Sequence, residues 1–272
     1  LYKDILENYD SMAAVIIKDM DAIKKEYGRK RRTAVENAEE AVYEEKKMEE
    51  MEVCFLMDRF GYMKLIDQNA YERNKEAIHN ESKYVFNCMN TDKICIFTDK
   101  GKMHTIKAAD IPLVRFRDKG TPADNLSNYN SAEERMLYVA PVGQVRTDRL
   151  LFVTKSSMCK LVEGAEFDVA KRTIASTKLA EDDELIFIGG SAGMEQIVLQ
   201  SHGGCFLRFL KQEISIMKKT AIGVRGMKLA GDDYLEHAYL LAGHQEYTIT
   251  YHDKEYSLNK VRLAKRDTKG VK

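Results

Sequence analysis

The residues whose type and spacing could do chemistry are paired cations. Arg117 and Lys119 stand in IPLVRFRDKG (111–120), and Lys171 and Arg172 in FDVAKRTIAS (167–176). Lys218 and Lys219 stand in ISIMKKTAIG (214–223), and Lys265 and Arg266 in VRLAKRDTKG (261–270). A degenerate copy, AYERNKEA (70–77), offers Arg73 and Lys75. Arg225 and Lys228 follow in AIGVRGMKL, where Gly223 and Gly226 would let backbone approach a phosphate closely. One such pair alone is ordinary solvated loop charge. Recurrence changes the reading, because equivalent positions on successive repeats align positive charge along one edge. A curved basic track suits phosphate neutralisation, where affinity comes from counterion release and carries little sequence information.

Other chemistry finds no constellation. There is no H-E-x-x-H and no G-x-x-x-x-G-K-[ST]. IFIGGSAGMEQIVL places a glycine cluster after a strand, but a second strand follows rather than a helix, so a hairpin turn is expected and not a nucleotide cradle. His79, His104, His202, His237, His244 and His252 lack metal-ligand spacing. Asp182/Asp183 and Asp232/Asp233 recur with the repeat and are expected to form turns. The five cysteines include no C-x-x-C pair; Cys54, Cys95, Cys159 and Cys205 lie in or beside apolar runs, as buried small hydrophobes in a reducing compartment would.

The elements that must position the cations change character along the chain. Ile5, Tyr9, Met12, Ile16, Met20, Ile23 and Tyr27 recur at helical steps, and Gly28 stops the pattern. Residues 36–50 read as a charged, solvated helix or connector. Beyond Met51, five segments share one build of strand, tight turn and strand: 52–66, 93–107, 149–163, 196–210 and 247–261. Their turns centre near Gly61, Gly101, Ser157, Gly203 and Lys254, at intervals of about 40, 56, 46 and 51 residues. That period fits one four-stranded propeller blade. The expectation is a mainly β chain: residues 1–50 a short helical segment and linker, residues 51–272 a five-bladed, propeller-like body whose blades gain their core by stacking.

Charge and hydropathy set limits. The 43 basic and 43 acidic residues cancel, but residues 1–50 are net negative and residues 201–272 net positive, which makes a polyanion partner worth testing. No apolar run is long enough to span a bilayer, and the start lacks the pattern of a signal peptide. A cytoplasmic chain without a membrane partner is expected. Its first residue is not Met, as in an excised fragment.

Several segments also carry a family resemblance. ICIFTDKGKMHTIKAADIP, FRDKGTPADNL, FGYMKLI and AIGVRGMKL resemble motifs of the C-terminal β-pinwheel of bacterial type IIA topoisomerase A subunits, gyrase or topoisomerase IV. VIIKDMDAIKKEYGRKRRTAV resembles the close of the breakage–reunion domain that precedes it. The resemblance implies binding and bending of double-stranded DNA within a holoenzyme that uses Mg²⁺ and ATP, works with a B subunit, and contains a second A subunit. None of the fourteen tyrosines matches the family's cleavage motif, so no catalytic residue and no cofactor is assigned to this fragment. Where gyrases carry a basic, glycine-rich box, the first-blade loop reads QNAYERNKEAIHNESKYVF, without glycine. A topoisomerase IV-like role therefore fits better than gyrase-like wrapping. The alternatives are a gyrase A domain with a degenerate box, or a propeller that binds protein through its face.

Overall fold

The computed structural model describes residues 2–33, 49–243 and 245–272. Two compact units emerge, Leu1–Met48 and Glu49–Lys272. In the first, helices α1 (Tyr2–Glu7) and α2 (Tyr9–Tyr27) are divided at Asn8, whose side chain caps α2 by accepting from the Asp10 N–H. The Gly28 N–H closes the last turn on the Lys24 carbonyl. The expected apolar face exists, yet Tyr9, Met12, Ile16, Met20, Ile23 and Tyr27 stay exposed. The helix or connector expected over 36–50 lies, but for its last two residues, outside the described residues.

The second unit is a series of small antiparallel sheets, one per repeat. The first repeat supplies β1 (Glu52–Asp58), β2 (Tyr62–Asp67) and β3 (Ser82–Met89). The second supplies β4 (Lys93–Thr98), β5 (Lys102–Lys107), β6 (Thr121–Pro122) and β7 (Met136–Pro141). The third supplies β8 (Arg149–Thr154), β9 (Met158–Glu163), β10 (Thr173–Ala175) and β11 (Leu185–Gly190). The fourth supplies β12 (Gln196–Ser201), β13 (Phe206–Leu210), β14 (Val224–Arg225) and β15 (Leu235–Leu241), and the fifth β16 (Thr248–Tyr251) and β17 (Lys254–Ser257). Tight turns between the first two strands place Gly61, Gly101, Ser157, Gly204, and His252 with Asp253, at positive φ.

The sheets do not coincide with the repeats. Their strand orders are β3-β1-β2-β6, β10-β5-β4-β7, β11-β8-β9-β14, β13-β12-β15 and β16-β17. Each repeat from the second to the fourth thus donates its third strand to the outer edge of the preceding blade. Val271 continues the rule by bridging Phe206 on β13. Nothing in the apolar periodicity announces this exchange.

Period-two alternation explains the stacking. Along β4, Ile94 and Ile96 pack with β1 of blade 1, while Cys95 and Phe97 pack with Phe152 and Phe167 of the third repeat. Along β8, Leu150 and Phe152 face back and Leu151 and Val153 face forward to Ile197 and Leu199. Central strands buried on both faces read as near-continuous apolar runs, which is how they appear in sequence. The glycine cluster at 189–193 joins β11 to β12, strands of different sheets. It is a crossing between blades and not the expected hairpin.

Two devices hold the donated segments. In three of them a closing glycine lies so near the receiving strand that a Cβ on Gly120, Gly223 or Gly270 would stand 2.5, 2.7 or 2.8 Å from the carbonyl oxygen of Met63, Cys159 or Phe206. Beneath the incoming loop sits a buried cation. The Lys160 ammonium donates to the Lys219 carbonyl at 2.8 Å and the Ala221 carbonyl at 2.6 Å. Lys64 does the same for Phe116 and Asp118. At the corresponding site of blade 2, His104 contacts Thr173 on the donated strand at 3.1 Å and Glu134 at 3.2 Å. Burial pushes the Lys160 amine down to about 8, with Glu166 opposing.

Two outcomes follow for stability in urea. Gly223→Ala adds a collision to a φ of +120°, whereas Gly193→Ala, at φ +70° with open space around it, meets only backbone strain. The second should cost about 1–2 kcal/mol and the first clearly more, about 3 kcal/mol; equal costs would refute the close-approach role. Lys160 binds a proton in the unfolded chain up to about pH 10.5 and in the folded chain only up to about 8. Its contribution therefore increases as pH rises through that window and is lost as pH falls. The stability of the natural protein relative to Lys160→Met should rise by about 2–3 kcal/mol from pH 8 to 10.5; a flat difference would show the amine to be unburied.

Candidate nucleic-acid interface

The cation-bearing loops are the same segments that deliver the donated strands. Each leaves one blade, crosses to the next outer edge and runs along it. Leu113, Ile216 and Leu263 make parallel bridges to Leu65, Leu161 and Arg208 of the preceding blade. These bridges and the glycines at 120, 223 and 270 fix a common register for three loops.

That register differs from the one suggested by pairing basic residues by eye. Counting from the shared glycine, Arg115 corresponds to Lys218 and Lys265, and Lys119 to Lys269. Arg117 has Thr220 and Asp267 as its counterparts. Lys178, two residues past the buried Ser176, corresponds to Lys228, two past the buried Gly226. Arg115, Lys178 and Lys269 are all exposed, on the segments that run along the outer edges of blades 1, 2 and 4. Alignment of the loops on their glycines, rather than on their basic pairs, would have revealed them.

The twelve cations singled out from sequence fall into three groups. Arg117, Lys119, Lys171, Arg172, Lys218, Lys228 and Lys265 are exposed on the donated loops or just beyond them. Lys119 lies over the Tyr62 ring at 4.3 Å, and Lys218 approaches Glu166 only to 4.0 Å. Lys219, Arg225 and Arg266 are committed within the fold. The Lys219 ammonium donates to the Glu166 carbonyl at 3.1 Å, and Arg225 pairs with Asp267 at 2.5 Å. The Arg266 guanidinium donates to the Arg225 carbonyl at 2.7 Å. Arg225 is held further above its ordinary range by the hydrogen bond and charge of Asp267, and Asp267 is lowered in turn.

Arg73 and Lys75 form the third group. Their segment is helix α3 (Gln68–Glu81), capped by Asp67, and not a loop donated to another blade. Both side chains are exposed on it, Lys75 lying over the Tyr71 ring at 5.7 Å. The kinship of AYERNKEA with the other basic loops is therefore corrected. Among the described residues, the first repeat has no preceding blade to receive a strand, and its segment instead buries Ile78 against Cys54, Leu56 and Ile66 of its own sheet.

The acidic motifs serve the turns. One Asp183 oxygen accepts from the Ser156 and Glu184 N–H groups, and one Asp233 oxygen from those of Gly203 and Tyr234. Asp182 occupies positive φ. Sequence reading missed the Glu134 carboxylate, which is buried. Burial works to raise its pKa, but hydrogen bonds from Thr98, Lys102 and His104 outweigh that and hold it below the usual range. Cys54, Cys88, Cys95 and Cys159 are buried free thiols, with burial pushing Cys95 and Cys159 up to about 12. No described helix is long and apolar enough to cross a membrane.

Comparison with known proteins follows the repeats. A family model described as the DNA gyrase C-terminal domain, β-propeller, matches residues 92–129, 148–189 and 195–242, which are the second, third and fourth repeats. The chain is 28% identical over 235 residues to the A subunit of DNA gyrase from Clostridium acetobutylicum, covering 82% of this chain and 28% of that one. Against the gyrase A subunit of Ureaplasma parvum serovar 3 it is 24% identical over 286 residues, covering 99% of this chain and 34% of that one. The chain thus spans about a third or less of the length of these relatives. Among solved structures, a topoisomerase IV C-terminal domain superposes with a TM-score of 0.72 at 23% identity, covering 82% of this chain and 72% of that one. A DNA gyrase A C-terminal domain gives 0.55 at 18%, covering 81% and 76%. Three successive repeats, on blades that share one strand-donating build, are thus similar to the C-terminal β-propeller domain of DNA gyrase.

Proposed function

We propose that the chain is the duplex-binding and duplex-bending part of an ATP-dependent type II topoisomerase A subunit, of the topoisomerase IV kind, acting in the cytoplasm. The observation that carries this reading is the recurrence of exposed cations in one register along the outer edges of blades 1, 3 and 4: Arg115, Lys218 and Lys265, with Lys119 and Lys269. Loops pinned at both ends hold these charges at fixed spacing, so little ordering entropy is lost when phosphates dock. Bending a duplex through 40–90° costs on the order of 1–6 kcal/mol, which several phosphate contacts together offset. Arg117, Lys119, Lys171, Arg172, Lys218, Lys228 and Lys265 form the proposed contact set, with Arg73 and Lys75 adjoining on α3. Lys219, Arg225 and Arg266 support it from within the fold.

Strand cleavage, Mg²⁺ and ATP use belong, in this reading, to a holoenzyme that combines two A subunits with B subunits. The described residues offer no cluster of three metal-ligating side chains, and no step is assigned to a metal here. A gyrase role is the second reading, favoured by the curated relatives, which are gyrase A subunits. Against it, the first-blade loop folds as a helix and contains no glycine.

In fluorescence anisotropy at about 50 mM salt, the protein should bind duplexes of unrelated sequence with similar affinity, and log K should fall linearly with log salt. Reversing Arg117, Lys119, Lys171 and Arg172 to Glu should weaken binding at least tenfold and flatten the salt slope; no binding by the natural protein would end the duplex reading. With the full-length A and B subunits and ATP, relaxation of supercoiled plasmid and decatenation of linked circles are expected, and relaxed plasmid should stay relaxed. Net negative supercoiling would decide for gyrase.

A further inference from the structure

The junction between the outer edges of blades 2 and 3 holds a cleft of about 560 Å³, lined by Lys171, Thr173, Ile174, Ala175, Thr177, Lys178, Lys219 and Thr220. Its lining contains three lysines, three threonines and no carboxylate. A cleft of about 450 Å³ on blade 1 is different, because Lys64, Arg117 and Lys119 there face Asp58, Glu81 and Asp118. Charge is balanced in one and uncompensated in the other.

Register explains why this junction stays open. Ala175 is the counterpart of Arg225, since each pairs with the residue after the turn of the receiving blade, Lys102 and Met158 respectively. Thr220 is the counterpart of Asp267, each three residues before the position of the closing glycine. At the next junction Arg225 and Asp267 form an ion pair at 2.5 Å. Here the two positions carry Ala and Thr, which cannot pair, so the space between the loops is left unfilled.

The walls are organised to hold an anion. The Lys178 N–H donates to the Lys219 carbonyl at 3.1 Å, which joins the two loops across the cleft. Lys171 and Lys178 are exposed with no ion pair among the described residues. The Lys219 ammonium donates to the neutral Glu166 carbonyl at 3.1 Å, while the Glu166 carboxylate accepts from the Lys219 backbone N–H at 3.1 Å and makes no hydrogen bond to the ammonium. Directly behind Thr220, the buried Lys160 ammonium binds the carbonyls on either side of it. A cation in that low-dielectric position is screened less than surface charge. Apolar walls at Ile174 and Ala175 focus its field into the cleft.

We propose that this cleft is a discrete phosphate seat, taking a backbone phosphodiester of duplex nucleic acid between the lysines and threonines of two blades. The proposal rests on the duplex-binding reading above and adds that one junction anchors the duplex more strongly than the rest of the edge. It also assigns roles to Lys178, Thr173, Thr177 and Thr220.

A charge-neutral variant separates the two ideas. Ala175→Arg with Thr220→Asp rebuilds the ion pair of the neighbouring junction and fills the cleft while leaving net charge unchanged. With a fluorescent 30-base-pair duplex of arbitrary sequence, the double variant should bind at least fivefold more weakly at about 100 mM salt. Lys171→Gln with Lys178→Gln should lose more affinity than Lys265→Gln with Lys269→Gln, and should lower the salt slope by about two. Thermal melts check that each variant folds; if the ion-pair variant does not, the two lysine pairs decide alone. Unchanged affinity in the ion-pair variant, or equal losses in the two lysine pairs, would overturn the seat and leave a uniform basic edge. No binding by the natural protein would overturn the duplex reading, and the seat with it.

Discussion

The outer edge of each four-stranded blade is an unsatisfied β-ladder until a strand from the following repeat reaches it. Unpaired backbone donors and acceptors on such an edge invite pairing with any passing chain. The donated strands are very short, two residues in β6 and β14 and three in β10. So few ladder bonds could not order a loop of about ten residues against its conformational entropy. Other forces must hold it, and two are visible. A glycine lets the loop lie against the receiving backbone, and a buried amine gathers two of its carbonyls. Lys160 shows the balance most clearly. Its charge is desolvated, yet without it the Ala221 carbonyl would lose its partner and the Lys219 carbonyl would keep only the Lys178 N–H, and an unsatisfied buried polar group costs about 1–3 kcal/mol.

This anchoring decides which charges are available to a ligand. In the loop 214–223, Lys219 is turned toward Glu166 while its neighbour Lys218 is exposed. In the loop 261–270, Arg266 reaches back to the Arg225 carbonyl while Lys265 is exposed. In these two pairs one member serves the fold and the other the surface, whereas Lys171 and Arg172 are both exposed. The pairing that first attracts notice in the sequence thus divides between two functions at Lys218/Lys219 and Lys265/Arg266.

Much of this was legible in the sequence because its physical signals are local. Runs such as VCFLM and ICIF, turns at Gly61 and Gly101, and their spacing were enough to locate the blades. The expected turn role of Asp183 and Asp233 followed from the same local chemistry. Strand exchange was not legible, since a two-residue strand such as Val224–Arg225 has no periodicity to detect. The glycine cluster at 189–193 misled for a related reason: strand, turn and strand look alike whether the strands pair together or join different sheets. Arg73 and Lys75 were grouped with the donated loops on composition, but QNAYERNKEA is rich in helix formers and lacks the closing glycine. The missing glycine was the informative feature, because a loop that never approaches another backbone does not need one.

Donation in one direction makes the first and last of the described blades different. Blades 1 to 3 each take a paired strand from the following repeat, blade 4 takes only isolated bridges at Leu263 and Val271, and among the described residues β16 and β17 pair only with each other. At the other end, the first repeat would have to send its third segment to a blade preceding it. Instead α3 folds back, and Ile78 covers Cys54, Leu56 and Ile66. That face of blade 1, with Cys54 and Leu56, corresponds to the face of blade 2 that packs back on blade 1 through Ile94 and Ile96, so leaving it open would expose the alternate residues of an apolar strand. A helix solves this with one buried isoleucine and a polar outer surface bearing Arg73, Lys75 and Glu76. The segment is shaped by what it must cover, which also explains why it departs from the loop found in later repeats. Where strand donation stops, the sequence is free to change, and the charge pattern changes with it.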